Sequence, residues 1–127
     1  MKQKVIICGA GRVGTSITDH LTNEGFDITV IDSNPEAIQR ITELYDVQGV
    51  LGLASYPNVL KDAGIVDTDL IIAVTQSDEI NIAACHVAKS IFGTPTMIIR
   101  IRSKEYLDPK YSNYLLKDVG VNRIISP

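Results

Sequence analysis

Gly9, Gly11 and Gly14 stand in the spacing G-x-G-x-x-G, between an apolar run at Val5-Ile6-Ile7 and a stretch from Thr15 to Leu21 that reads as a helix. Strand, glycine turn and helix, in that order, make a cradle for a pyrophosphate. Gly9 permits a tight turn, Gly11 lets the backbone approach phosphate oxygens, and Gly14 lets the helix pack close to the strand. The backbone N–H groups at the helix start, with the positive end of the helix dipole, face the anion. Ala10, Arg12 and Val13 complete the turn. The Arg12 guanidinium either reaches a phosphate, of this ligand or of one held by a neighbouring subunit, or faces solvent from the first helical turn.

Asp32 ends the second apolar run, eighteen residues after Gly14, and Ser33 follows it. A carboxylate there accepts hydrogen bonds from both ribose hydroxyls of an adenosine. Its charge repels a 2′-phosphate, and no arginine follows it directly, which favours NAD, NADH or an adenine nucleotide such as ATP or ADP over NADP. The same residue also reads as a helix N-cap ahead of Pro35, and the two roles can coexist. Gly52-Leu53-Ala54-Ser55 closes the third strand, where a ligand's adenine would lie: Gly52 permits close approach and Ser55 caps a helix beginning near Pro57. Ala73-Val74-Thr75 closes the fourth strand on the same side, with Thr75 as the hydrogen-bonding group.

Strand-like and helix-like stretches alternate along the whole chain. Strands are expected at Val5 to Cys8, Ile28 to Ile31, Val47 to Leu51, Asp69 to Val74, Met97 to Ile101 and Asn122 to Ile125. Helices are expected at Val13 to Glu24, from Pro35 through Leu44, at Pro57 to Ala63 and at Asp78 to Phe92. A broken helical region, interrupted by Pro109, runs from Lys104 to Val119. Short apolar runs with little polar alternation are the mark of parallel strands covered by helices on both faces. The expected fold is α/β, a Rossmann-like, doubly wound parallel sheet of six strands in the order 3-2-1-4-5-6. The Asp78 to Phe92 helix is apolar around most of its circumference. One sheet face needs only one apolar stripe, so the excess points either to a second buried surface, a subunit interface of a homo-oligomer, or to a tightly packed monomer with a wide apolar face.

At 127 residues the chain makes one domain, residues 1–127, with 45% hydrophobic and 21% charged residues. A net charge of −3 argues against a nucleic-acid surface. Cys8 and Cys85, far apart and in apolar runs, read as buried free thiols of a reducing cytoplasm. No apolar segment is long enough for a signal peptide or a membrane span. The stop at Pro127, directly after an apolar run, suggests a domain cut from a longer chain.

With these motifs the chain resembles the N-terminal nucleotide-binding domain of the regulators of potassium conductance, and more narrowly the Trk-type potassium-uptake regulatory subunits. The resemblance rests on Gly9-Ala10-Gly11-Arg12-Val13-Gly14, Val30-Ile31-Asp32, Gly52-Leu53-Ala54-Ser55, Ala73-Val74-Thr75-Gln76-Ser77-Asp78-Glu79-Ile80-Asn81 and the closing Arg123-Ile124-Ile125-Ser126-Pro127, of which the Gly52 to Ser55 loop and the Ala73 to Asn81 stretch are the specific part. The resemblance implies a cytoplasmic, non-catalytic sensor, assembled as a dimer or ring, beneath a membrane potassium transporter subunit. It implies an NAD, NADH, ATP or ADP ligand lined by Gly9, Gly11, Arg12, Val13, Asp32, Leu53, Thr75 and Arg100. Related chains often carry Asp at the position of Leu53, so one polar contact is missing here and Leu53 is left to pack against the base.

Other signals point less far. Tyr106 and Lys110 have the Tyr-x-x-x-Lys spacing of short-chain dehydrogenases, but Pro109 lies between them. His20 and His86 lack companions at metal-ligand spacing. Asp78 and Glu79 read as a helix start favoured by the dipole. The competing enzyme reading, the cofactor half of an NAD-dependent oxidoreductase, needs a substrate domain and a general acid–base that this stretch does not supply. A gating domain of a potassium channel or antiporter is a further alternative.

Overall fold

The computed structural model describes residues 2–126; Met1 and Pro127, which entered the reading of the two chain ends, lie outside the described residues. Six parallel strands form one sheet in the order β3-β2-β1-β4-β5-β6, as expected. They are β1 (Lys4–Cys8), β2 (Asp27–Asp32), β3 (Gln48–Leu51), β4 (Leu70–Ala73), β5 (Thr96–Arg100) and β6 (Arg123–Ile125). At the centre Val5 lies opposite Ile28 of β2 on one side and Leu70 of β4 on the other.

Alternate residues of each strand feed two cores. Val5, Ile7, Val30 and Ile72 point to the face covered by α1 (Arg12–Asn23) and α2 (Pro35–Leu44). Ile6, Cys8, Ile71 and Ile99 point to the face covered by α3 (Pro57–Asp62) and α4 (Asp78–Phe92). The chain crosses from one face to the other after β3, which reverses the strand order and leaves a crevice at the carboxyl ends of β1 and β4.

The helix starts follow local side-chain chemistry, with two departures from expectation. Asn34, rather than Asp32, caps α2, its Oδ1 accepting the Glu36 N–H at 2.9 Å ahead of Pro35. Tyr56 occupies the N-cap position of α3 with no side-chain bond, so Ser55 does not cap that helix. Ser77 caps α4 through the Ile80 N–H at 3.2 Å. The broken segment is α5 (Lys104–Leu107), α6 (Pro109–Asn113) and a π-helical turn from Tyr114 to Val119. Pro109 opens α6 behind the Asp108 cap.

The apolar excess of α4 is smaller than its composition suggested. Ile82, Ala84, Cys85 and Ala88 are buried, and Ile80, Val87 and Phe92 pack in part against the same core. Ile91, 59% exposed, is the large apolar side chain that this helix leaves outward. The sheet and the π-helical turn beside α4 take up the rest.

Cys8 and Cys85 are buried free thiols. Burial pushes the Cys85 thiol up to about 12, and raises that of Cys8 further, with a smaller contribution from the charge of Cys85. A thiol reacts as its thiolate. Ellman's reagent at pH 8 should therefore titrate neither thiol in the native protein and both in guanidinium chloride; fast native labelling would contradict this burial.

Candidate functional site

A cleft of about 690 Å³ opens over the carboxyl ends of the central strands. Its floor is the glycine turn. Gly9 has φ +116°, a conformation that side-chain-bearing residues rarely adopt. Its N–H donates to the Ile31 carbonyl at 2.8 Å, and a methyl group on it would lie 2.9 Å from the Val74 carbonyl oxygen. Gly14 is buried in α1, where a methyl group would collide with the carbonyl oxygen of Gly9. Gly11 differs: a methyl group there would meet nothing within 4 Å, so open space lies over its backbone. The helix behind it begins with no side-chain cap and no acidic residue in its first turn. Its first amides are therefore available to an anion.

Asp32 closes the turn. One carboxylate oxygen accepts the Ala10 N–H at 2.7 Å and the other the Asn34 N–H at 2.8 Å. Each oxygen keeps a further lone pair for a ligand hydroxyl. Of the predicted residues, Gly9, Gly11, Arg12, Val13, Asp32, Ser33, Gly52, Leu53, Ala54, Thr75 and Arg100 line the cleft. Ala10 and Gly14 do not. Ala10 is fully buried and serves the cleft through its N–H to Asp32, while Gly14 acts as a packing contact one helical turn behind.

Two further roles change. A methyl group on Gly52 would lie 2.8 Å from a methyl of Val59, so the close approach this glycine permits is that of α3. The Thr75 hydroxyl lies 2.7 Å from Oδ1 of Asn81 and accepts the Ser77 N–H at 3.2 Å, which commits it to its own loop.

The Ala73 to Asn81 stretch is a brace. Asn81 is fully buried, and its Oδ1 also accepts the Thr75 N–H at 2.9 Å. Its Nδ2 donates to the carbonyls of Thr75 at 3.2 Å and Arg100 at 3.0 Å, joining the ends of β4 and β5. Asp78 reads as more than a dipole partner: its two carboxylate oxygens accept the N–H groups of Arg102 at 2.9 Å and Ser103 at 2.8 Å.

Arg40 and Arg102 also line the cleft and were missed. Arg40 sits three residues after Ala37, one helical turn along the face of α2 that borders the cleft. Arg102 follows Arg100 by two residues. Both periodicities were available in the sequence once the cleft-facing residue of each pair was chosen. Arg12 and Arg40 also border an adjoining, shallower hollow with Asp19 and Tyr45. Tyr106 and Lys110 fall in different helices, α5 and α6, so the dehydrogenase pair does not assemble. Among the described residues no group of three or more His, Cys, Asp or Glu side chains could hold a metal ion, and no helix is long and apolar enough to cross a membrane.

Similarity to known proteins follows the same lines. The TrkA-N domain family matches residues 5–127. The Trk system potassium uptake protein TrkA of Azorhizobium caulinodans is 45% identical over 125 residues, which cover 98% of this chain and 27% of that relative. The chain thus spans about a quarter of the length of such relatives. Among solved structures, the TrkA-N domain of the Escherichia coli inner membrane protein ybaL superposes with a TM-score of 0.83 at 17% identity, covering 99% of this chain and 88% of that one. The GsuK channel bound to NAD gives 0.79 at 18% identity, covering 98% of this chain and 21% of the channel. Those two likenesses speak to the fold, whereas the family match and the 45% relative speak to descent: the chain belongs to the TrkA-N domain family.

Proposed function

We propose that this chain is the regulatory NAD(H)- or adenine-nucleotide-binding domain of a Trk-type potassium-uptake system, gating transport through a ligand-dependent oligomer and catalysing no reaction. The observation that carries the proposal is the open, uncapped start of α1 over Gly11, set beside the Asp32 carboxylate. One suits a pyrophosphate, the other a ribose. The name of the 45% identical relative supports the potassium-uptake setting. The NAD described in GsuK supports the ligand class. The protein would work at the cytoplasmic face of the membrane, held there by a transporter subunit.

A ligand shifts the shape of an assembly only by binding its shapes with different affinity. Calorimetry combined with small-angle scattering tests this. NADH and ATP should each bind, and should give distinguishable scattering profiles for the assembled protein. Binding with identical profiles would remove the switch, and absence of binding would remove the nucleotide reading.

A further inference from the structure

We propose that the π-helical turn from Tyr114 to Val119 is a register switch, a two-state element through which occupancy of the cleft rim is read at the sheet edge, β6. The turn lies outside the cleft. It rests on the nucleotide reading above only for the ligand that biases it.

The segment that joins rim to edge is fixed at both ends. At its start the two carboxylate oxygens of Asp78 accept the N–H groups of Arg102 and Ser103, and the Ser103 hydroxyl caps α5 through the Glu105 N–H at 3.2 Å. Asp108 then closes α5 and opens α6: its N–H donates to the Lys104 carbonyl at 3.1 Å, and its Oδ1 accepts the Lys110 N–H at 2.9 Å. From there α6 runs directly into the π-helical turn. At the far end the Asn122 N–H donates to the Met97 carbonyl at 2.8 Å, and the Asn122 Oδ1 accepts the Met97 N–H at 2.7 Å, which docks β6 beside β5. Leu115 and Val119 are fully buried in the core that α4 covers.

Between these fixed points the turn holds one residue more than an α-helix would. The Gly120 N–H passes over the Leu116 carbonyl, its α-helical partner, and donates to that of Leu115 at 3.0 Å. The Val121 N–H shares the same acceptor at 3.0 Å. Such closures are rare and confined to single turns. The alternative is one carbonyl away. Moving the Gly120 N–H forward to Leu116 makes the turn α-helical and passes the surplus residue into the link from Gly120 to Asn122, next to the clamp on β6. Gly120 suits a hinge, with φ +85° and the place of its missing side chain taken by that of Lys89. Lys89 stands in the last turn of α4 and brings its ammonium to the carboxyl end of the π-helical turn, where the dipole favours a cation. One helix therefore holds both ends of the segment, through Asp78 at its first residue and Lys89 near its last. Ser77 and Arg102, next to that first hold, line the cleft. A shift at the rim thus acts on an element with two discrete closures, which is what coupling between separated sites requires.

Hydrogen exchange read by mass spectrometry tests the switch, in the unaltered protein and in a variant lacking Lys117, an exposed residue whose removal closes the turn as an α-helix. In the free unaltered protein, amides of residues 116–122 should exchange about tenfold or more faster than those of 82–88 in α4. Saturating NADH or ATP, by selecting one closure, should slow exchange at 116–122 by about threefold or more, alongside protection of the rim at 75–81. The deletion variant should bind both nucleotides within about twofold of the unaltered affinity, and its slower exchange at 116–122 should not respond to them. Protection of the rim with no change at 116–122 in the unaltered protein would overturn the switch, whatever the deletion variant does. A ligand response that persists in the deletion variant would overturn it as well. No protection of the rim by either nucleotide would overturn the nucleotide reading, and with it the bias on the turn.

Discussion

Replacing Gly14 with alanine is expected to destabilise the domain by about 3 kcal/mol or more, a large part of the 5–15 kcal/mol typical of a folded domain. The sign is what makes this diagnostic. Within a helix, glycine to alanine ordinarily stabilises by about 1 kcal/mol, because alanine has less backbone freedom to lose. Here the added methyl would run into the carbonyl oxygen of Gly9, and neither group can move alone. Gly9 is held by its N–H to Ile31, and Gly14 by a helix packed on β1. Urea unfolding followed by circular dichroism reads the effect as a fall in midpoint at constant slope. Gly11→Ala is the matched control, because its methyl meets no protein atom within 4 Å. It should keep the urea midpoint close to that of the unaltered protein and lose nucleotide affinity, since the space it fills is where phosphate oxygens would approach. A neutral or stabilising Gly14→Ala would show that α1 does not depend on this contact.

The sequence carried the fold because its signals were local and repeated. Runs such as Val5-Ile6-Ile7 and Leu70-Ile71-Ile72-Ala73 mark buried parallel strands, and once helices separate them the right-handed crossover leaves few possible strand orders. Gly9 and Gly14 were readable for the same reason, since backbone conformation and helix–strand packing act within a few residues. The misreadings arose where a residue a few positions away took, or filled, the role read for its neighbour. Gly52 faces Val59 across the start of α3. Asn34, two residues beyond Asp32, takes the helix cap that Asp32 had been offered. Thr75 lies at the expected cleft wall, yet a buried Asn81 six residues later claims its hydroxyl.

The Ala73 to Asn81 stretch teaches the same lesson at the level of function. As a pattern it was the more specific mark of the family, but its residues looked like a helix start with a favourable dipole. Folding brings Arg100 and Arg102 beside that start from about twenty residues away, and Asp78 and Asn81 are spent on their backbones. No spacing rule within one helix predicts a hydrogen bond to a loop after the next strand. The arginines of the cleft are equally scattered, at positions 12, 40, 100 and 102. A chain with a net negative charge gave no compositional hint that four of them converge.

Asp32→Ala should weaken binding of every adenosine nucleotide by about 1–3 kcal/mol, through loss of charge-assisted hydrogen bonds to the ribose. It should also lower stability by a further 1–3 kcal/mol or so, because the Ala10 N–H, in a fully buried residue, loses its acceptor. The two effects must be separated, since a loosened glycine turn would itself bind phosphate less well. A cycle using ATP and 2′-deoxy-ATP separates them. In the unaltered protein, removal of the 2′-hydroxyl should cost affinity. In Asp32→Ala it should cost little, because the acceptor is already gone, while any damage from the loosened turn falls equally on both ligands and cancels. An equal penalty for the deoxy ligand in the two proteins would falsify the ribose assignment and leave Asp32 as the clamp that holds Ala10 against β2. A penalty confined to the unaltered protein assigns the carboxylate both tasks, with one lone pair on each oxygen for the backbone and one for the ligand.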